Sequence, residues 1–388
     1  MTVPAAGGGA AGPRKPLYRC IPEIHVTRLS VSSSLRPKVG LLLLAIVLLA
    51  TLCLLGVPLV TKVLVPLVVS RQHHPIVLPP GQTFSQQLLT AATSSTSESL
   101  VLSPVLVRTV LAPLARWSEG ATRDQLERLL GPACDNCSRL ASVSQDLVSL
   151  SGVVLVPGQQ VKEGVVTREP EVERLDYRVA EARHQVEEWL RQHGEAGGLS
   201  WVVDSLDNSQ VVGLGVARVA LRLGEVVEGE PGKLRVEGEM MVGKLGHRTV
   251  VVLEGLGEGL SLCLVQPPGE GGECASSLLT RQRVVLTLPA LSLTSRLPLA
   301  PVLATLGATS LLDSTAQLGP LSSQKSLRLG QLYLETSLSV RGRGGTRKAR
   351  SLQTPSEIAV EHLFSVLVEQ RSYNRTILIG TFSAPELH

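Results

Sequence analysis

The spacing of apolar and polar positions divides the chain into distinct stretches. Residues 39–61 run for 23 positions without a charged side chain. At 1.5 Å per residue, about 20 residues cross a ~30 Å hydrocarbon core. A buried core helix should be shorter and show a polar face, and a cleaved signal has an apolar region of only ~7–15 residues before a small-residue cleavage site. The stretch therefore reads as one membrane-spanning signal anchor, with a cleaved signal and a core helix as the alternatives. Before it, residues 1–38 are rich in Gly, Pro and Ser with little periodicity, as in a disordered tail. After it, residues 62–83 carry Pro66, Pro75, Pro79 and Pro80 and read as a stiff stalk.

From position 84 to 388 the pattern is that of a folded domain. Leu88, Leu89 and the run before Ser94 suggest a helix, and 100–102 is a short apolar strand. Ser103-Pro104 caps a second helix with proline at its favoured first position, and Pro113 should bend or end it. Thr122 is expected to cap a third, with Leu126, Leu129 and Leu130 on one face and Gly131 as its stop. A buried strand is expected at 152–156, and a helix at 180–192 with Val186, Trp189 and Leu190 on one side. Residues 211–223 alternate as a long central strand, and further strands fall at 250–253, 260–265, 284–288, 291–294 and 332–340. A short helix at 301–306 ends at Gly307. Helices first and strands afterwards predict an α+β architecture.

Composition adds that apolar residues are 44% and aromatics 3%, so the core must be aliphatic. The net charge of +4 is small, and no continuous basic face suggests a nucleic-acid binder. Its distribution fixes an orientation. Arg14, Lys15, Arg19, Arg28, Arg36 and Lys38 precede the apolar stretch against the single acid Glu23, which places the N-terminus in the cytosol and the large domain outside or in a lumen, as in a type II membrane protein. Asn136 and Asn374 stand in glycosylation triplets that fit this topology. On that side of the membrane Cys134 and Cys137 can pair with each other, as can Cys263 and Cys274. No further ligands stand near Cys134 and Cys137 at zinc spacing, and no metal or other cofactor is expected. Nor is there a Gly-x-Ser-x-Gly elbow, a phosphate loop or a His-Glu-x-x-His motif, so catalysis is not expected. Gly255-x-Gly257-x-Gly259 reads as a hairpin turn.

The order of segments from 84 to 388 resembles the serpin family. LVLSPVLVRTVLAPL at 100–114 and EGATRDQLERLLG at 119–131 resemble the family's opening strand, Ser-Pro helix and Gln-Leu helix. VEEWL at 186–190 is similar to its Trp-containing helix, and Met240-Met241 to a methionine pair that opens a segment of sheet B. The strongest likeness is at 286–340, from LTLPALSL to LYLETSLSV. Phe364 and Gly380 fall on the family's closing pattern. The resemblance implies three β-sheets with surrounding helices, and a reactive loop that in inhibitors inserts after cleavage as a new middle strand of sheet A.

The loop here departs from that design. RGRGGTRKARSLQTPSEI spans 341–358; Gly345-Thr346 is similar to the family's hinge, but Arg347, Lys348 and Arg350 around Ala349 stand where short side chains belong. Burying an unpaired charge costs several kcal/mol. From 345 to 358 is thirteen positions, and about ten more, or ~33 Å of strand, would be needed. Arg218 and Leu221 also replace the asparagine and tyrosine of a family segment at 216–224. The expectation is a non-inhibitory binding module. The alternative is an inhibitor of trypsin-like or furin-like proteases with Arg350-Ser351 as its bait bond. Arg347-Lys348-Ala349-Arg350 also reads as a processing site. With Arg341 and Arg343, this basic run suits a polyanion such as heparan sulfate, or is a solvated loop.

Overall fold

The computed structural model describes residues 83–383, apart from 95–98, 132–146, 159–160, 166–171, 178, 194–209, 228–231, 255, 257–258, 269–273, 275–277, 344–354 and 374. The chain divides into two compact units, Met1–Gln72 and His73–His388, and the described residues all belong to the second. The tail, the apolar stretch 39–61 and the stalk up to position 82 lie outside them. Among the described residues no helix is long and apolar enough to cross a membrane.

Helix α1 (Phe84–Thr93) starts with a capping box in which the Thr83 N–H donates to Gln86 Oε1 at 2.7 Å and the Gln86 N–H to Thr83 Oγ1 at 3.4 Å. Strand β1 (Leu100–Leu102) leads into α2 (Pro104–Arg116), where Ser103 Oγ accepts from the Leu106 N–H and donates to the Ile377 carbonyl at 2.8 Å. Pro113 neither ends nor visibly breaks α2. Its carbonyl still accepts from the Trp117 N–H at 2.9 Å, and buried Val110, Leu111 and Leu114 hold the last turn. Helix α3 (Gly120–Leu130) begins two residues before its expected cap. Glu119 is the N-cap and makes no side-chain cap bond, while the Thr122 hydroxyl is buried and accepts from the Gln317 N–H at 3.0 Å. A tertiary partner has claimed the capping oxygen.

The remaining elements are β2 (Val148–Pro157), β3 (Val172–Tyr177), α4 (Val179–His193), β4 (Gln210–Val227), β5 (Lys233–Leu245), β6 (Arg248–Leu253), β7 (Leu260–Gln266), β8 (Thr280–Pro289), β9 (Ser292–Pro298), α5 (Ala300–Thr305), β10 (Arg328–Arg343), β11 (Ser356–Ala359), β12 (Leu363–Gln370) and β13 (Arg375–Ser383). They form three ladders: β3-β2-β4-β10-β9, β1-β13-β12-β7-β6-β5, and β5-β8-β11. Sharing of β5, and the pairs Val226↔Val236 and Val227↔Arg235 between β4 and β5, join these into one thirteen-stranded network. Gly259, in the predicted hairpin between β6 and β7, has φ +78°; Gly255 and Gly257 lie outside the described residues.

The five-stranded ladder is buried on both faces near its centre. Along β4, Val211, Ala217, Val219, Leu221 and Leu223 face the main core with α2, whereas Val212, Leu214 and Val216 face α4. On that second side Val186, Trp189 and Leu190 of α4 pack on Val153, Leu155, Tyr177 and Tyr333. Period-2 alternation therefore selects which helix each residue meets.

Candidate functional site

The middle of the five-stranded ladder is the place where an inserted strand would have to enter, between β4 and β10. These strands are parallel and directly paired, from Arg328↔Gln210 to Arg343↔Glu225, with irregularities only at 329/331 and 342/343. Separating them would cost the hydrogen bonds of a ladder buried on both faces at its centre.

Side chains interlock across the same seam. A Cβ at Gly213 would lie 2.6 Å from Leu332 Cδ1 and 3.1 Å from Val110 Cγ1. One at Gly215 would lie 2.7 Å from Leu334 Cδ2 and 3.0 Å from Leu106 Cδ2. The two glycines thus leave hollows in β4 that leucines of β10 and of the underlying helix α2 fill. On the other face, Tyr333 and Leu214 are paired neighbours beneath Trp189. Burial raises the Tyr333 phenol above its ordinary pKa. Beside it Glu335, almost wholly buried, pairs with Arg296 of β9 at 2.9 Å. Thr336 is 1% exposed on the core side, and its Oγ1 has no hydrogen-bond partner among the described residues.

Towards the far ends of β4 and β10 the outer face changes character. Arg218, Arg222 and Arg341 are exposed, with Ala220, Ser337 and Ser339 half-buried between them. The register sets Ser337 beside Arg218 and Arg341 beside Arg222. Arg218, singled out as a departure, therefore points outward, while its companion Leu221 is buried in the core at 1% exposure.

The loop residues Gly345, Thr346, Arg347, Lys348, Ala349, Arg350 and Ser351 lie outside the described residues, but both anchors are described. β10 ends at Arg343 and β11 begins at Ser356, leaving twelve residues, 344–355, between them. β11 runs parallel to β8 from Ser356↔Val284 to Ala359↔Thr287. Ion pairs flank that strand, Arg235–Glu357 at 2.6 Å and Lys233–Glu361 at 3.2 Å. Cys263 and Cys274 are joined by a disulfide. Cys134, Cys137, Asn136 and Asn374 lie outside the described residues. Among the described residues no cluster of His, Cys, Asp and Glu could hold a metal ion.

Sequence reasoning did not single out Gly213 and Gly215, although two glycines inside a long apolar strand signal close approach of another element. Nor did it pair Arg222 with Arg341, which are 119 positions apart and meet only through the register.

Residues 273–385 match the serpin (serine protease inhibitor) family model. A sequence search of curated proteins finds no relative. Among solved structures, the chain is similar to native protease nexin-1 with heparin, at 17% identity and a TM-score of 0.66, covering 78% of this chain and 97% of that one. Maspin gives 15% identity and a TM-score of 0.66, with 78% and 97% covered. Uncleaved ovalbumin gives 13% and 0.63, with 78% and 98% covered. At these identities the structures establish the shared fold, and the C-terminal match adds the family's sequence pattern. The described domain has the serpin fold, and its C-terminal part, residues 273–385, carries the serpin family's sequence pattern.

Proposed function

We propose that this protein is a non-inhibitory serpin, a binding module carried outside the membrane on the anchor at 39–61, with no catalytic role of its own. One observation carries the reading: the β4–β10 seam is closed along its length while only twelve residues connect β10 to β11. After a cut at Arg350, the part that remains attached to β10 is seven residues, 344–350. Fully extended these reach ~23 Å, whereas the sixteen residues of β10 span ~53 Å. Two or three of the seven must also make the reversal into the sheet, and Arg347, Lys348 and Arg350 are poor residues to place in a packed ladder. Too little strand remains to fill the sheet and drag a captured protease across it.

The partner classes that suit the domain are a protease that meets the basic loop without being trapped, and a polyanion. Protease nexin-1, which shares this fold, has been crystallised with heparin. Arg341, Arg343, Arg347, Lys348 and Arg350 supply matching charge in this chain. The second reading, inhibition with Arg350-Ser351 as bait, rests on the Arg-Ser pair lying shortly before β11.

Incubation of the full chain in mild detergent with trypsin, followed by a denaturing gel, separates them. The proposal expects cleavage in the basic loop and no covalent species. A band larger than either protein, retaining both, would establish trapping.

A further inference from the structure

Helices α1 and α2 both pack on strand β13. At the start of α2, Ser103 Oγ donates to the Ile377 carbonyl at 2.8 Å. Arg108 lies five residues further along the helix, ~7.5 Å on. Arg375 lies two residues back along the strand, ~6.6 Å away, and its charge acts on Arg108. Both arginines are half-buried. The Arg108 guanidinium sits over the ring of Phe84, the first residue of α1, with Cζ 4.7 Å from the ring centroid. The elements that form this corner bring no acid to it. Together α1, α2 and β13 carry Arg108, Arg116 and Arg375 but not one Asp or Glu, and α5, which packs on α1, has none either. The acid closest in register is Glu369 of β12, opposite Thr376. Adjacent positions on a strand project from opposite faces, so Glu369 and Arg375 point to different sides of the sheet. The cation that acts on Glu369 is Arg371.

Among the described residues Arg108 makes no hydrogen bond or ion pair, and its Nε is buried without a partner. The Phe84 ring compensates the face of the cation, but it cannot accept the N–H bonds that a guanidinium donates in its own plane. Burial lowers the Arg108 pKa, and Arg375 adds to the shift. Holding a desolvated cation beside a second cation is costly, and such local violations mark function. We propose that the corner between Arg108, Arg375 and Phe84 is a binding site for a single phosphate monoester group. A monoester carries a charge of about −1.5 to −2 near neutral pH, which two guanidiniums match better than they match the single charge of a carboxylate. The two Nη atoms of Arg108 suit a two-pronged contact with phosphate oxygens, the stacked ring fixes their plane, and Arg375 supplies the second positive charge. Phe84 and α1 close the corner from beneath, so it takes one compact anion and not the extended run of charge that suits the basic loop at 341–350. The inference stands apart from the question of inhibition. It gives the junction of the first folded helix with the last strand a ligand of its own.

The test uses the full chain in mild detergent, with inorganic phosphate as the probe and NaCl adjusted to keep ionic strength constant. Phosphate should raise Tm in a saturable way, sulfate should do so less, and acetate least. Arg108→Met keeps an apolar stem against Phe84 and should weaken phosphate binding about tenfold or more. Arg375→Met, on a different element, should weaken it as well, so the outcome does not hang on the folding of one variant. Arg108→Lys should fall between wild type and Arg108→Met, because charge is retained and the planar donor is lost. Two further probes separate the sources of the group. Competition by glycerol 3-phosphate marks a small soluble monoester, and competition only by nanodiscs containing phosphatidic acid marks a lipid headgroup.

An equal phosphate response in wild type, Arg108→Met and Arg375→Met would overturn the proposal. So would a phosphate effect no larger than that of NaCl at the same ionic strength. Displacement of phosphate by a heparin dodecasaccharide, lost in R347S/K348S/R350S, would overturn it in favour of the basic loop. None of these outcomes bears on inhibition, which fails or stands on the covalent band with trypsin.

Discussion

In the half of the β4–β10 seam that holds Gly213 and Gly215, leucines of β10 and α2 fill the hollows on one face and Trp189 of α4 covers the other. In the half that holds Arg218 and Arg222, the core face is still lined by Val219, Leu221, Leu338 and Val340, but among the described residues no helix covers the outer face, which carries three exposed arginines. The backbone ladder is the same in both halves. The contrast separates two properties that one sheet can carry: closure comes from packing beneath and above the first half, while the second half packs on its core side and holds charged side chains exposed on the other. Substitutions in the first should change stability, and substitutions of the exposed residues in the second should change it little.

The largest effect is expected from Leu334→Ala, which empties the space over Gly215 and should cost about 2–5 kcal/mol, read as a fall in the denaturant midpoint. Gly215→Val works from the other side of the same contact. Its new Cβ meets Leu334 and Leu106 at 3.0 Å or less in a packed core, so a loss of about 1–3 kcal/mol is expected. Thr336→Val should act in the opposite direction. It removes a buried hydroxyl that has no partner and should stabilise by about 1 kcal/mol in the same titration.

A smaller, pH-dependent effect is expected away from the seam, at Glu369 of β12. Burial raises its carboxyl pKa, and Arg371 opposes the shift in part. The native state then holds this proton to higher pH than the unfolded chain, so the group costs stability as pH rises from the unfolded pKa through the folded one. Glu369→Gln should therefore raise Tm at neutral pH by on the order of 1–2 °C, and the gain should shrink in acid. A gain that is equal at both pH values would contradict this origin.

Much of the fold was legible where local signals and burial agree. Ser103-Pro104 opens α2, the alternation at 211–223 falls within β4, and Trp189 lies on the buried side of α4. Where a distant residue intervened, the signal misled. Thr122 looked like a cap, but its hydroxyl serves Gln317. Pro113 looked like a bend or a stop, but the helix does not end there: tertiary packing carries α2 on to Arg116. Strands β3 and β5 were not marked out by apolar runs, because much of each is exposed: only Val172 and Tyr177 of β3 are buried. Parts of the site were visible as composition, in the basic run after Val340 and in Arg218. Its geometry was not, because the pairing of Arg222 with Arg341 and the fit of Leu334 over Gly215 depend on a parallel register between strands more than a hundred positions apart.

The central claim is that the seam is closed and that the loop cannot enter it. The most direct measurement is the melting temperature of the full chain before and after a confirmed cut at Arg350. The account predicts a cut protein that melts within a few degrees of the intact one, because no new strand joins the sheet. A rise of tens of degrees, with the amides of β4 and β10 newly protected from exchange, would show insertion and contradict it.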